Sequence, residues 1–153
     1  MLVKNRMTQD VYTVAADTSL NEVWDLMQTL DVRHMPVLKG NHLVGIVSDR
    51  DIYLHAVTCN DSMVVPKRPV SEIMTRQVIT CNAGSQIGQV AEIMLERKID
   101  CLPVVTDGEL VGMITSSDLL ELLCMSASGV CHQVIPVNFK VHRFPQYEMA
   151  QSN

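Results

Sequence analysis

Two short motifs bring together the residue types best suited to chemistry in this sequence, Ser48-x-x-Asp51 and Thr115-x-x-Asp118. Each lies where an apolar run predicted as a strand passes into a predicted helix. A hydroxyl and a carboxylate at this spacing can cap the free N–H groups of the first helical turn. A helix N-terminus also suits a phosphate, and an aspartate there can accept hydrogen bonds from ribose hydroxyls. Helix capping and nucleotide binding are therefore both open for these four residues.

The sequence repeats itself with a spacing of 67 residues. Shifting the chain by this spacing aligns Met7-Thr8 with Met74-Thr75, and the match continues without a gap to Asp51 and Asp118. Because such a long gapless register is hard to obtain by chance, we predict two copies of one supersecondary unit. The other aligned pairs are Val11 with Val78, Thr13 with Thr80, Leu20 with Ile87, Val23 with Val90, Met27 with Met94, Pro36-Val37 with Pro103-Val104, and Leu43-Val44-Gly45 with Leu110-Val111-Gly112.

Each copy begins with a pattern that predicts a strand and then a helix. In the first copy, Val11–Val14 is short and rich in β-branched and aromatic residues, which favours a strand. Apolar residues then recur at spacings of three and four from Leu20 to Leu30, and Ser19 with Glu22 resembles a capping box. This spacing predicts an amphipathic first helix.

A β-hairpin is predicted next in each copy. The apolar runs Met35–Lys39 and Leu43–Val47 are joined by Gly40-Asn41, a pair suited to a tight turn. The second copy has Asp107-Gly108 at the same place, which is a stronger turn signal. Each hairpin therefore leads directly into the motif at which the second helix is expected.

These elements predict an α/β (α+β) fold of two strand-helix-hairpin-helix repeats, packed as a pseudo-two-fold pair. Neither repeat is expected to be stable alone, because about sixty residues bury only roughly 60% of their unfolded surface. The second helices are expected at Asp51–Val57 and Asp118–Met125. We divide the chain into a first repeat at 1–62, a second at 63–125, a polar, proline-containing linker at 60–69, and a C-terminal extension at 126–153 that contains one amphipathic strand around 137–141 and a loose end.

Composition restricts the classes of function. The chain has 153 residues, a hydrophobic content of 47% and a net charge of -5. The hydrophobic content predicts a globular core, and the acidic balance argues against binding a nucleic-acid backbone. No apolar run approaches the roughly 18 to 20 residues that span a bilayer, and the N-terminus lacks a signal-peptide pattern. We therefore expect a cytoplasmic protein without membrane contact.

Cysteine usage gives no sign of a disulfide framework or a metal site. The five cysteines are irregularly spaced, so reduced thiols are expected. Cys124, Cys131 and His132 come nearest to a metal motif, but they lack the paired spacing of a structural zinc site. No metal site is predicted.

The two copies resemble CBS (cystathionine beta-synthase) domains, which occur in tandem. The resemblance covers roughly Val3 to Met125 and depends on the order of its elements, in duplicate. These elements are Met7-Thr8 and Met74-Thr75, Met35-Pro36-Val37 and Leu102-Pro103-Val104, and the segments Leu43 to Asp51 and Leu110 to Asp118.

The resemblance implies an adenosyl-ligand site. In proteins similar to this one, the Ser or Thr and the Asp of the repeated motif contact phosphate and ribose, which assigns these roles to Ser48, Asp51, Thr115 and Asp118. The base pocket is lined from the first strand and from the segment that leads into the hairpin. By position, this pocket comprises Thr13, Val14, Val32, Arg33, His34 and Met35 in the first copy and Thr80, Cys81, Ile99, Asp100, Cys101 and Leu102 in the second.

The two copies differ in charge near the expected phosphate region. The first has Arg33, His34 and Arg50, whereas the second has Asp100, Cys101 and Ser117 at the aligned positions. Arginine offers a planar set of donors that matches a phosphate, so the first copy is better equipped for an anionic group. We therefore expect unequal sites. The alternative is that Arg33 and His34 are only solvent-exposed polar residues of a surface turn. The resemblance also implies that one site can include residues of both repeats.

As a family member, the chain is expected to be a regulatory module that senses an adenosyl ligand: AMP, ADP, ATP, S-adenosylmethionine or a dinucleotide. The resemblance also implies a homodimer, and an unidentified effector protein is the expected partner. The alternative is a structural or dimerisation module without a nucleotide ligand. No Walker-type G-x-x-x-x-G-K, G-x-S-x-G or H-E-x-x-H motif is present, so neither enzyme activity nor a required cofactor is predicted.

Overall fold

The protein is described by a computed structural model that covers residues 1–59 and 62–127. The expected C-terminal strand around 137–141 lies outside these residues. Each repeat contains a first strand position, a helix, a hairpin and a second helix. The helices and strands are β1 (Val14–Ala15), α1 (Leu20–Leu30), β2 (His34–Lys39), β3 (His42–Ser48), α2 (Asp49–His55), β4 (Val57–Cys59), β5 (Ser62–Val64), α3 (Ile87–Arg97), β6 (Cys101–Thr106), β7 (Glu109–Thr115) and α4 (Ser116–Ala127).

The sheets of the two repeats have the same topology. In the first repeat, β1 runs parallel to β2 with Val14 opposite Val37, and β2 pairs antiparallel with β3. In the second repeat, an isolated parallel bridge joins Cys81 to Val104, and β6 pairs antiparallel with β7. The 67-residue shift converts each pairing into the other, so the predicted α/β fold of two related repeats is confirmed.

The second helices begin earlier than expected. Helix α2 spans Asp49–His55 and α4 spans Ser116–Ala127, whereas the sequence pattern predicted starts at Asp51 and Asp118. The reason is that Ser48 is the N-cap of α2, so the helix begins at the next residue. The end also differs, because Val57 leaves the helix and pairs with Val64 in a short hairpin formed by β4 and β5. Part of the expected linker is thus a strand.

Two separate clusters of buried apolar side chains form the cores. In the first, α1 contributes Leu20, Val23 and Met27, the residues whose spacing predicted its buried face. In the second, α3 contributes Val90 and Met94. The proposed capping box at the start of α1 does not form, because the Ser19 hydroxyl donates to Asn21 Oδ1 at 2.6 Å instead. The apolar face of α1 was therefore predicted correctly and its cap was not.

Each core is completed by the segment that precedes the other repeat. Val3 is fully buried in the core of the second repeat, whereas Val70 is fully buried in the core of the first. Hydrogen bonds accompany the exchange: Val3 N–H donates to the Ser85 carbonyl at 2.9 Å, and Val70 N–H donates to the Thr18 carbonyl at 2.8 Å. The exchange makes the two repeats a single folding unit.

The exchanged segments then cross the hairpin of the opposite repeat. Thr8 and Met113 exchange backbone hydrogen bonds of 2.8 and 2.9 Å, and Thr75 and Ile46 exchange bonds of 2.9 and 3.0 Å.

No helix within the described residues is both long and apolar enough to cross a membrane.

Candidate functional site

A cleft of about 870 Å³ lies between the two repeats. Residues related by the 67-residue shift occur together in its lining, so the cleft lies across the pseudo-two-fold axis. These pairs are Arg33 and Asp100, Ser48 and Thr115, Asp49 and Ser116, Arg50 and Ser117, and Tyr53 and Leu120.

The exchanged N-terminal segment adds a wall that belongs to the first repeat alone. Thr8, Asp10, Val11 and Tyr12 line the cleft, and Thr8 is fixed there by its hydrogen bonds to Met113. The cleft is therefore pseudo-symmetric near the two second helices and asymmetric along this wall.

Aromatic residues are concentrated at this cleft. Tyr12, Trp24 and Tyr53 are all the aromatic residues among positions 1–127, and each one lines the cleft. Tyr12 and Tyr53 are 55% and 64% exposed, so their rings are accessible to a ligand. Exposed rings in one concave site suit a flat heteroaromatic ligand.

The cleft contains charges of both signs. The charged residues of its lining are two arginines and four aspartates: Arg33, Arg50, Asp10, Asp31, Asp49 and Asp100. None of these six side chains forms an ion pair with another described residue.

His34 is a half-buried imidazole at the cleft wall. Burial lowers its pKa below the ordinary value of 6.5, because the charged form loses hydration. Asp49 and Asp100, from different repeats, oppose this shift, as Asp51 does more weakly, whereas Arg33 adds to it. An anionic group placed beside this ring would favour its protonated form.

The two Ser/Thr-x-x-Asp motifs form capping boxes. Asp51 Oδ2 accepts from the Ser48 N–H at 2.8 Å and from the Ser48 hydroxyl at 2.7 Å, and the Asp51 N–H donates to Ser48 Oγ at 3.1 Å. Thr115 and Asp118 repeat the arrangement with distances of 2.7, 2.7 and 3.3 Å. The capping role expected for these residues is therefore present in the structure.

The N-termini of the two second helices differ in their free donors. The first N–H of each helix donates to a carbonyl, Asp49 to Arg33 at 3.0 Å and Ser116 to Asp100 at 2.8 Å. The next N–H of α2, that of Arg50, donates to Asp49 Oδ1 at 2.7 Å. Ser116 replaces this aspartate in α4, which removes the carboxylate that would accept from the following N–H. Of the two helices, α4 thus offers the N-terminus with less internal capping.

The site residues expected from the sequence fall into three groups. The cleft is lined by Val32, Arg33, His34, Ser48, Arg50, Asp100 and Thr115. The cores enclose Val14, Met35 and Leu102, with Cys101 buried and Ile99 and Cys81 packed against the second core. The third group lies outside both the cleft lining and the cores. Asp51 and Asp118 cap their helices, and Thr80 is exposed. Thr13 lines a separate cavity of about 250 Å³ that shares Val11 with the cleft.

Several lining residues were not expected from the sequence, above all Tyr12, Trp24 and Tyr53. Trp24 lies on the apolar face of α1 and packs against the first core as that face predicts, and it also lines the cleft. Tyr12 lies in the segment before β1 and Tyr53 lies in α2, so no spacing joins the two tyrosines. The signal available was their scarcity, since only 4% of the residues are aromatic.

Metal ligation has no structural counterpart in the described part of the chain, where no three His, Cys, Asp or Glu side chains are grouped to hold an ion. Cys131 and His132 lie outside that part.

The duplicated hairpins, the exchanged segments and the shared cleft define a module of two tandem repeats. A family model described as the CBS domain matches residues 3–57 and 70–124, and the chain belongs to this family.

Two curated relatives illustrate the contexts in which such a pair occurs. The CBS domain-containing protein YhcV of Bacillus subtilis is 31% identical over 117 residues, which cover 76% of this chain and 81% of that protein. The inosine-5'-monophosphate dehydrogenase of Thermoplasma acidophilum is 35% identical over 113 residues, or 73% of this chain. The chain spans only 21% of that dehydrogenase.

Solved structures share the fold. The CBS domain pair of protein MJ0100, in complex with 5'-methylthioadenosine and S-adenosyl-L-methionine, superimposes with a TM-score of 0.71 at 29% identity, covering 82% of this chain and 98% of that one. A putative acetoin utilization protein (AcuB) from Vibrio cholerae gives 0.72 at 32% identity, covering 84% and 93%.

Proposed function

We propose that the cleft between the repeats binds an adenosyl-containing small molecule and that binding regulates a partner protein. The observation that carries this proposal is the convergence of Tyr12, Trp24 and Tyr53 on one cleft, beside charged groups that form no ion pair within residues 1–59 and 62–127. The volume of about 870 Å³ lies within the range of small-molecule sites, roughly 300 to 1,000 Å³. The solved MJ0100 pair, with its two adenosyl ligands, supports this ligand class.

The groups around the cleft match the parts of such a ligand. The aromatic rings offer surfaces against which a purine can stack. Arg33 and Arg50 offer donors to an acidic tail, and the first turn of α4 adds backbone N–H groups. Thr13 lines the separate smaller cavity and not this cleft, so its expected role beside the base stays a prediction. Because the exchanged segment lines only one side, we expect one tight site per chain rather than two equal sites.

The capping boxes change the role expected for Asp51 and Asp118. Each carboxylate already accepts two hydrogen bonds on Oδ2 from its own motif. Neither carboxylate lines the cleft, whereas Ser48 and Thr115 do. In this proposal the Ser or Thr of each motif faces the ligand, and a ribose beside it would meet the remaining oxygen of the aspartate that the cap holds in place.

The regulatory step needs a conformation that the ligand favours, since a ligand shifts an equilibrium only by its differential affinity for the two states. The ligand would contact both repeats and the exchanged segment, so occupancy would bias their mutual packing. We propose a cytoplasmic homodimer as the form that presents this change to an effector protein. Large apolar side chains remain exposed on the second helices, with Leu54 at 73% and Met125 at 63%, and these suit a protein contact.

A structural or dimerisation module is the second candidate. The observation that favours it is that both Ser/Thr-x-x-Asp motifs form complete capping boxes, an arrangement that stabilises a helix by itself. In that case the motifs stabilise the two second helices, and the cleft is only the space between them.

Thermal unfolding of the full chain distinguishes the two candidates. The panel contains AMP, ADP, ATP, 5'-methylthioadenosine and S-adenosylmethionine. A ligand at a hundred times its dissociation constant adds about 2.7 kcal/mol, which raises the melting temperature by several degrees. Ser117→Tyr places a ring in the cleft from an exposed position on α4, and Ser62→Tyr makes the same change on exposed β5 outside it.

We expect at least one ligand to raise the melting temperature of the wild type and of Ser62→Tyr but not of Ser117→Tyr. If no ligand shifts the wild type while the protein remains dimeric, the structural candidate is correct. Equal shifts in both tyrosine variants would place the ligand elsewhere and contradict the proposed site.

A further inference from the structure

The charge balance of the cleft bears on which adenosyl ligands it accepts. Four carboxylates line it against two guanidiniums, so its fixed charge is negative when His34 is neutral. Asp49 and Asp100 belong to different repeats and both line the cleft, so each repeat contributes negative charge to it. A ligand with several phosphates would bring more negative charge into this lining, and like charges at short range repel.

The aromatic residues of the cleft also favour a ligand that carries positive charge. Rings of Tyr and Trp attract a cation placed over their faces, and the attraction grows when the cation is partly desolvated. Tyr12, Trp24 and Tyr53 all line this cleft. They can therefore hold a cationic group as well as a base, while Arg33 and Arg50 remain available to a carboxylate.

We infer that the cleft prefers a zwitterionic adenosyl sulfonium, the chemistry of S-adenosylmethionine, over adenine nucleotides, with Asp49 and Asp100 as the residues that set this preference. The inference rests on the proposed adenosyl function and specifies its ligand class. The sulfonium of such a ligand meets Asp49 and Asp100 and the aromatic rings, whereas its ammonium meets the other two carboxylates, Asp10 and Asp31. Its single carboxylate meets a guanidinium, so both signs of charge in the cleft find a counterpart.

Isothermal titration of the full chain with four ligands tests the preference. The ligands are S-adenosylmethionine, S-adenosylhomocysteine, AMP, and ATP with and without Mg²⁺. S-adenosylhomocysteine lacks the S-methyl group, and with it the sulfonium charge, and it keeps the amino-acid tail. We expect S-adenosylmethionine to bind at least about fivefold more tightly than S-adenosylhomocysteine, the size expected for one partly exposed charge interaction. AMP and ATP are expected to bind more weakly than both.

Asp100→Asn and Asp49→Asn separate charge from shape. Each is expected to weaken S-adenosylmethionine about fivefold, to leave S-adenosylhomocysteine nearly unchanged and to strengthen ATP. A substitution that merely damaged the site would weaken all ligands together. Glu96→Gln, at an exposed position of α3 outside the cleft lining, removes one carboxylate as a control and is expected to change none of the affinities.

The outcomes distinguish this inference from the proposed function. If AMP or ATP binds more tightly than S-adenosylmethionine, or if Asp100→Asn weakens every ligand equally, the charge preference is wrong and the adenosyl site stands. If none of the four ligands binds, the proposed function is wrong and the preference is rejected with it.

Discussion

Gly112→Ala is expected to loosen the crossing between the N-terminal segment and the second repeat. A Cβ at Gly112 would lie 2.8 Å from the Thr8 carbonyl oxygen and 2.9 Å from Met7 Sδ. A backbone oxygen cannot move away without breaking the hydrogen bonds between Thr8 and Met113. Overpacking of this kind costs about 1–3 kcal/mol, so we expect the free energy of unfolding to fall by about 2 kcal/mol.

Gly45→Ala makes the equivalent change at the other crossing and should cost less. The nearest atoms to a Cβ there belong to the flexible side chain of Met74, and the Thr75 carbonyl oxygen lies at 3.1 Å. A methionine can change rotamer more readily than a strand can shift, so we expect a loss of about 1 kcal/mol. The order of the two losses follows from which atom blocks the new methyl group.

Urea denaturation followed by circular dichroism measures both variants. Gly88→Ala is the matched control, since no atom lies within 4 Å of its Cβ and the residue is in α3. Alanine should stabilise that helix by up to about 1 kcal/mol. The reasoning is refuted if Gly112→Ala unfolds at the same urea concentration as the wild type. It is also refuted if the free energy of unfolding falls more in Gly45→Ala than in Gly112→Ala.

Three further outcomes are expected. Because the pKa of His34 is lowered, the unfolded chain takes up a proton at a higher pH than the folded chain does. The contribution of His34 to the free energy of unfolding is therefore complete above pH 6.5 and falls as the pH drops toward the lowered pKa. Denaturation curves recorded from pH 8 to pH 5 should show this loss in the wild type but not in His34→Gln. Asp51→Ala should lower the free energy of unfolding by about 1 kcal/mol without any ligand, because it removes the α2 cap; unchanged stability in urea would contradict the capping role. Burial raises the pKa of Cys101 to about 12, so peptide mapping after iodoacetamide at pH 8 should find exposed Cys59 alkylated well before Cys101, and similar rates would contradict the burial.

Local elements were predictable because their signals are local. The hairpin turn at Asp107-Gly108 adopts positive φ at both residues, 54° and 83°, as that pair favours. Gly40 likewise has a φ of 61° in the first hairpin. The apolar spacing of α1 identified the helix and its buried face. The first strand, predicted at Val11–Val14, was wrong in its bounds, because β1 spans only Val14–Ala15.

The exchange of segments could not be read from local patterns. Val3 and Val70 are aligned by the repeat spacing, but a pattern cannot say that each packs into the other copy. The exchange also explains why the cleft is asymmetric, since it places Tyr12 beside residues of both repeats. The sequence therefore identified the repeats, and tertiary packing determined which of their residues meet.

The site was predictable to a similar degree. The segment from Val32 to His34 lines the cleft as its position suggested. Met35 and Leu102 were expected to line the pocket for the adenine base, but both side chains are fully buried in the cores. Strand position places a residue near a cleft, whereas the direction of its side chain depends on the sheet and the helix packed against it.

Fluorescence of Trp24 tests the central claim most directly, because it is the single tryptophan of the chain and it lines the cleft. The full chain is titrated with S-adenosylmethionine, 5'-methylthioadenosine, AMP and ATP. An adenosyl ligand in the cleft predicts a saturable change in emission at one equivalent per chain, present in Ser62→Tyr and absent in Ser117→Tyr. Unchanged emission with all four ligands, or the same response in Ser117→Tyr, would contradict it.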